Sequence, residues 1–434
     1  MPRASFTFHS MAFHSGVITL AAFLAGCATQ TAPSAGVYLP VTSAARHALE
    51  SAGAVAPETA SIWSVVSSPN DPPETTGIID DVLYGVSSTS NKDVWAVGDN
   101  CCTAHGSQEY TNSLILHWNG SAWEIVNSAS DEPADTQLHS VAAVSRNDAW
   151  AVGYAPQPSN ECVIEHWTRG KWTVVPSPAI SDCMLESVVA LSANDVWAVG
   201  TGGFAALTEH WDGKAWSIVN SATGYGGVTI LESVAAASPN DIWAVGTLDH
   251  PNSSVYAEHW NGTAWTQATF PKHFFQSLLE SVTAVSSSDV WAVGYVEVSK
   301  TNRVPHTLIE HWNGSNWSQT KSPNMEPKGS YPLTNWLYGV TARSSKDVWA
   351  VGLWTWFTGD GTPRSLFEHW DGKQWKTVPG PSTLESNNNS DSNYPNAVTV
   401  VGGRSLWAVG SQTAALLHGY GCCSATLTVQ TTHG

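Results

Sequence analysis

The sequence predicts an all-β wheel: a seven-bladed β-propeller of four-stranded antiparallel blades, closed by an N-terminal strand. Three observations carry this. The hexapeptide DVWAVG around Trp95 returns, with small changes, around Trp150, Trp197, Trp243, Trp291, Trp349 and Trp407, at intervals of 46 to 58 residues. Each unit divides into the same four short β-rich runs. One further run, SIWSVVSSPN (Ser61–Asn70), stands alone ahead of the first unit and matches the fourth run of the others, such as KWTVVPSPA (Lys171–Ala179).

The elements follow in order within a unit. Strand A is of the LESVVALS type, with a Val nine residues before each repeat Trp: Val86, Val141, Val188, Val234, Val282, Val340 and Val398. A Ser-x-x-Asp turn leads into strand B, the DVWAVG run. After a loop of variable length comes strand C, ending in Trp118, Trp167, Trp211, Trp260, Trp312 or Trp370. A tight Asn-Gly or Asp-Gly hairpin then gives strand D, opened by Trp123, Trp172, Trp216, Trp265, Trp317 or Trp375. Internal repeats of this length and strand count suit propeller blades, whereas the rungs of a linear solenoid are shorter. The seventh unit offers ALLHGYG (Ala415–Gly421) as strand C but no strand-D Trp, so the isolated N-terminal run is expected to complete that blade. The C-terminal SATLTVQ either competes for that place or adds an outer strand.

Composition agrees. The 434 residues include 23 Trp and 58 Gly plus Pro (35 and 23), with only 12% charged side chains, as expected for many short strands and turns. A formal charge of −18 would repel phosphate backbones, which argues against nucleic acid as a partner.

The N-terminus is read as a targeting segment. Arg3 precedes the apolar run GVITLAAFLAG (Gly16–Gly26), which is too short to span a bilayer. Leu24-Ala25-Gly26-Cys27 resembles the bacterial lipobox, which implies a signal peptide over residues 1–27, lipidation at Cys27 and an exported protein held at the cell envelope. Residues 28–60, rich in Ala, Ser, Thr and Pro without strand alternation, are expected to be a flexible tether, and 61–434 the propeller. The membrane is a partner only through that anchor, and the chain is expected to be a monomer.

The repeated Glu-His-Trp before each hairpin raises the question of a row of metal or acid/base sites. In an antiparallel blade the start of strand B lies beside the end of strand C. Six pairs should therefore meet: Asp93–His117, Asp148–His166, Asp195–His210, Asp241–His259, Asp289–His311 and Asp347–His369. Each pair satisfies two polar groups that would be costly to bury alone. WD-repeat propellers resemble this arrangement. Six copies on six blades cannot converge on one ion, so the set is read as structural. Blade seven departs, with Ser405 for the Asp and Gly419 for the Trp, leaving His418 without the expected partner.

DVWAVGTGGFAALTEHWDGKAW (Asp195–Trp216) resembles the Asp-box (BNR-type) and photosystem II assembly-factor-like propeller repeats. The likeness runs over about residues 61–425 and departs where Glu-His-Trp precedes the hairpin and the strict Ser-x-Asp-x-Gly spacing is absent. It implies the fold. It leaves the function open, because propellers host binders, scaffolds and enzymes alike.

Function is sought where the repeat breaks. Twenty of the 23 Trp occupy repeat positions, counting Trp63, and the other three fall in the sixth unit. Trp336, Trp354, Trp356, Phe357 and Asp360, with Tyr331 nearby, are expected to form an aromatic and acidic patch suited to a glycan or a protein. A second candidate sits eleven residues before each strand-B Trp: Tyr84, His139, Glu186, Glu232, Glu280, Tyr338 and Asn396. Three successive glutamates at the channel mouth would repel one another unless protonated or shared by a calcium-like cation or a partner's basic side chain. Solvated rim carboxylates are the plainer alternative. Cys162 and Cys183 are placed to form a disulfide. The vicinal pairs Cys101-Cys102 and Cys422-Cys423 are left open among strained rings, other pairings and free thiols.

These features favour a non-enzymatic, envelope-anchored propeller binding a glycan or protein through its loop-rich face. The alternative is a carbohydrate-active enzyme, a glycosidase or lyase with carboxylates at the channel mouth, such as Glu186 and Glu280. Sialidases, which share Asp-box repeats, hold substrate with three arginines. Only Arg303 and Arg364 are expected on the loop-rich face, with Arg146, Arg169, Arg343 and Arg404 opposite. No nucleophile elbow, phosphate loop or H-E-x-x-H motif appears.

Overall fold

Tryptophan from one blade driven into the next is what builds the molecule, as a computed structural model of the chain shows. The description covers residues 62–70, 80–105, 108–130, 135–156, 160–178, 180–222, 228–249, 253–271, 276–297, 304–325, 333–356, 363–381, 393–414 and 423–431. Cys27, the tether, Tyr331, Phe357, Asp360, Arg303, His418, Gly419 and Cys422 lie outside it.

Strand β1 (Trp63–Val65) comes first. Blade one holds β2 (Asp80–Ser90), β3 (Asp93–His105), β4 (Gln108–Trp118) and β5 (Trp123–Ile125). Blade two holds β6 (Gln137–Ser145), β7 (Asp148–Ala155), β8 (Glu161–Thr168) and β9 (Lys171–Val174). Blade three follows with β10 (Cys183–Ser192), β11 (Asp195–Gly202), β12 (Ala205–Trp211) and β13 (Trp216–Val219). Blade four is β14 (Val228–Ser238), β15 (Asp241–Asp249), β16 (Ser253–Trp260) and β17 (Trp265–Gln267). Blade five is β18 (Ser277–Ser286), β19 (Asp289–Glu297), β20 (Pro305–Trp312) and β21 (Trp317–Gln319). Blade six is β22 (Leu333–Ser344), β23 (Asp347–Trp356), β24 (Arg364–Trp370) and β25 (Trp375–Val378). β26 (Asn393–Val401), β27 (Ser405–Ala414) and β28 (Cys423–Thr431) begin blade seven.

Each blade is an antiparallel meander, and β1 completes the seventh by pairing with β28 through Trp63↔Thr431, Ser64↔Gln430 and Val65↔Val429. The segment after β1 continues the seam: Val66 N donates to Thr428 O at 2.8 Å, and Asn70 Oδ1 accepts from Thr426 N at 2.8 Å. The seventh blade corrects one expectation. Its strand C is Cys423–Thr431, not ALLHGYG, so SATLTVQ neither competes for the outer place nor adds a further strand. Gln430 lies opposite Trp407, where the other blades carry His, and Thr431 Oγ1 accepts from Leu406 N at 3.0 Å.

Strand B is buried on both faces because a neighbouring blade covers each, which is why it reads as a continuous apolar run rather than an alternation. The core is seven clusters, one at each blade-to-blade interface. Each strand-B Trp except Trp349 meets the strand-C and strand-D Trp of the next blade: Trp95 lies 4.8 Å from Trp167 and 5.2 Å from Trp172, with the D-strand ring edge-on at 87°. The pattern survives the seam. Trp407 of blade seven meets Trp118 and Trp123 of blade one at 5.0 and 5.1 Å, and Trp349 of blade six meets Trp63 at 5.8 Å.

Candidate functional site

All six Asp–His pairs form, with Nε2 to Oδ1 distances of 2.7 to 2.9 Å. Each imidazole also stacks on the strand-B Trp of its own blade, as Trp150 does on His166 with centroids 3.9 Å apart. Carboxylate, imidazole and indole are thereby spent on one another inside a blade. The neighbouring Glu has a different task, which single-blade reasoning missed. Glu165, Glu209, Glu258 and Glu368 are fully buried and reach across to a serine that follows strand D of the preceding blade. Ser177 Oγ donates to Glu209 Oε1 at 2.9 Å, Ser221 Oγ to Glu258 Oε2 at 2.7 Å and Ser322 Oγ to Glu368 Oε2 at 2.9 Å. Burial pushes the Glu209 and Glu368 carboxyls up to about 7 against the lowering effect of these serines.

The inner strands behave otherwise. Every strand A carries a register shift, and the extra residue is the same one each time: Tyr84, His139, Glu186, Glu232, Glu280, Tyr338 and Asn396. A bulge sets two residues against one and re-aims a side chain. Opposite it stands the Gly of WAVG, which has to be Gly: a Cβ on Gly200 would lie 2.0 Å from Met184 O, and one on Gly98 1.9 Å from Val82 O. Next to the bulge, Ser140, Ser187, Ser233 and Ser281 accept from the backbone N–H of Val188, Val234, Val282 and Val340 on the following blade at 3.1 to 3.2 Å. These bonds tie the innermost strands of blades two to six in succession.

The bulged residues touch from blade to blade. Asn396 Nδ2 donates to Leu83 O at 3.0 Å, Tyr84 lies 5.6 Å from His139, and His139 Nδ1 and Glu186 Oε2 are 2.5 Å apart. Burial and then the charges of Glu232 and Glu186 hold the Glu280 carboxyl well above the usual carboxylate range. Burial alone would lower His139, but Glu186, Asp99 and Glu232 outweigh it and raise it. Burial first, then the same carboxylates, raise the phenols of Tyr154 and Tyr295 on the adjoining strands.

The carboxylate oxygens of Glu186, Glu232 and Glu280 do not form a group within 4.8 Å of one another. Among the described residues the one trio of donor atoms within 4.8 Å of one another is Cys162, Cys183 and Glu209. Its two sulfurs are joined as a disulfide with Cα atoms 5.0 Å apart, tying strand C of blade two to strand A of blade three.

Of the sixth-blade residues, Trp336 and Trp354 do not converge. Trp336 lies opposite Leu353 and Trp354 opposite Asn335, so the alternation of the strands puts the two indoles on opposite faces of the blade. Trp354 packs against the core between blades five and six, with the Arg364 guanidinium 5.3 Å over its ring. Trp356 ends β23, and its side chain lies outside the description. Arg343, in its A-to-B turn, pairs with Asp347 at 3.2 Å.

One exposed residue escaped the sequence reading. Phe204 is 66% exposed at the turn between β11 and β12, with a left-handed φ of 72° that a bulky side chain rarely adopts. The Gly202-Gly203 doublet before it was the available signal.

Fold and ring define a seven-bladed propeller with glutamate at the bulge of three successive innermost strands. No family model and no curated protein matches the chain. The solved structures similar to this chain include two of YCF48. One, YCF48 from Cyanidioschyzon merolae, is 14% identical with a TM-score of 0.51, over 85% of this chain and 98% of that one. The other, YCF48 bound to D1 peptide, is 14% identical with a TM-score of 0.49, over 86% of this chain and 97% of that one. The expected likeness to photosystem II assembly-factor-like propellers holds for the fold, and similarity at this identity extends no further.

Proposed function

We propose that this chain is a non-enzymatic binding propeller, held at the bacterial cell envelope through Cys27, that docks a protein partner over the end of the channel bearing the three glutamates. The observation that carries the reading is the ring of bulged residues. The repeated Asp, His and Glu side chains are consumed within or between blades. The seven bulged positions carry Tyr, His, Glu or Asn rather than one repeated residue, and each is presented at the expense of ladder pairing. Variation at equivalent positions on a constant frame is what a recognition surface requires. A protein suits this mouth better than a sugar, because Trp354, offered by the sequence as a stacking platform, already has Arg364 over its ring.

The test is to probe the folded chain in parallel with a displayed random-peptide library and a glycan array. Peptide selection without glycan binding is the expected result. Glycan binding alone, or turnover of a glycan abolished by Glu186→Gln, would contradict it. The anchor is checked separately: a clickable fatty-acid analogue should label the wild-type chain in a bacterial host and fail to label Cys27→Ala.

A further inference from the structure

The ring is chemically lopsided. Blades three, four and five contribute Glu186, Glu232 and Glu280 in succession, blade two adds His139 against Glu186, and Tyr338, Asn396 and Tyr84 come from blades six, seven and one. Adjacent carboxylates resist joint ionisation. A buried carboxylate oxygen also needs a donor, yet Oε1 of Glu280 is buried with no hydrogen-bond partner. The arc's carboxylate oxygens are not among the donor atoms of the described residues that gather within 4.8 Å of one another. What would satisfy Oε1 of Glu280, with Glu232 and Glu186 beside it, is a positively charged group with several N–H bonds and more reach than an ion. Its apolar stem would run past the phenols of Tyr84 and Tyr338.

Close by stands an apolar landmark. The turn bearing Phe204 is fixed by Gly203 N donating to Ser181 O at 3.1 Å. It adjoins Cys183, which pairs with Gly202 and opens the strand that carries Glu186 three residues later. Three residues of strand separate Cys183 from Glu186 by roughly 10 Å.

Resting on the binding reading above, we infer that the Glu186–Glu232–Glu280 arc is a socket for one lysine or arginine side chain of the protein partner, and that a large apolar residue nearby in the same segment sits on Phe204. An extended basic and apolar segment is therefore the kind of partner that fits this face.

The test uses the full chain and the peptides selected on it. Every tight-binding peptide should contain a Lys or Arg whose replacement by norleucine weakens binding tenfold or more. Glu280→Gln and Glu232→Gln, each shown by thermal unfolding to be folded, should weaken the parent peptides by a similar factor and the norleucine peptides no further. Phe204→Ala should cost a smaller factor and leave the unfolding temperature unchanged or higher. Peptides that bind without a basic residue, or that bind both Gln variants as well as wild type, would overturn the socket and leave the binding reading standing. Failure to select any peptide would overturn both. With calcium chloride alone as the probe, a rise in unfolding temperature for wild type but not for Glu280→Gln would assign the arc to a metal ion and overturn the socket.

Discussion

At the residue scale, the Asp–His–Trp set works by mutual satisfaction. The Asp accepts from the imidazole, and the imidazole lies flat on the indole that fills the gap to the next blade. Removing one member strands another. Asp241→Ala leaves Nε2 of His259 without its partner in a half-buried position, and should cost about 1–2 kcal/mol in urea unfolding with peptide binding unchanged. The inter-blade glutamates make a prediction with a sign. Glu209 and Glu368 hold their protons up to about 7, against an ordinary 4.5. Between those values these two groups bind more protons in the folded chain than in the unfolded one, so their contribution to stability is fully present below pH 4.5 and is lost as pH rises through 7. The loss approaches ~3 kcal/mol per group as an upper bound. Glu209→Gln and Glu368→Gln, which keep an acceptor for Ser177 and Ser322, should flatten that slope, with a larger gain in unfolding free energy at pH 8 than at pH 5.

At the scale of the element, strands A and B are coupled by the bulge. Gly200→Ala would push a Cβ onto Met184 O, and the bulge would have to straighten or the strands part. The expected cost is about 3 kcal/mol or more, read as a lost yield of folded protein or a fall in unfolding temperature of blade three's variant against wild type. The Asp–His pairing was legible in the sequence because antiparallel pairing fixes which strand ends meet. The bulge was not, because a two-against-one register is a property of two strands together, and its one mark in sequence, the repeated Gly inside strand B, does not say which residue is extra. The same limit applies to Trp336 and Trp354: their spacing in sequence suggested one patch, and only the register against Asn335 and Leu353 separates their faces. The role of Glu209 was hidden for a related reason, since its serine belongs to another blade.

At the scale of the whole molecule, periodicity carried the fold and failed where periodicity failed. Six blades repeat Trp at three positions, and those blades were read correctly. Blade seven has no strand-C Trp, so ALLHGYG attracted a role that belongs to Cys423–Thr431, where Thr and Gln replace the indole and imidazole. The charge of −18 belongs to this scale as well. It raises the local concentration of a basic partner near the channel mouth, so association with a basic peptide should slow as salt is raised, while the neutral norleucine peptide shows a shallower dependence in stopped-flow measurements.

The claim beneath all of this is that the repeated tryptophans are the mortar of a closed wheel, with Trp63 joining the two ends of the chain. The most direct test compares the unfolding free energies of Trp63→Ala and Trp265→Ala, equivalent strand-D residues at the seam and in mid-chain that are both buried. A closed wheel predicts similar losses, each about 3–5 kcal/mol. A loss below about 1 kcal/mol for Trp63 beside a full loss for Trp265 would mean that the first strand frays like any chain end, and would contradict the account.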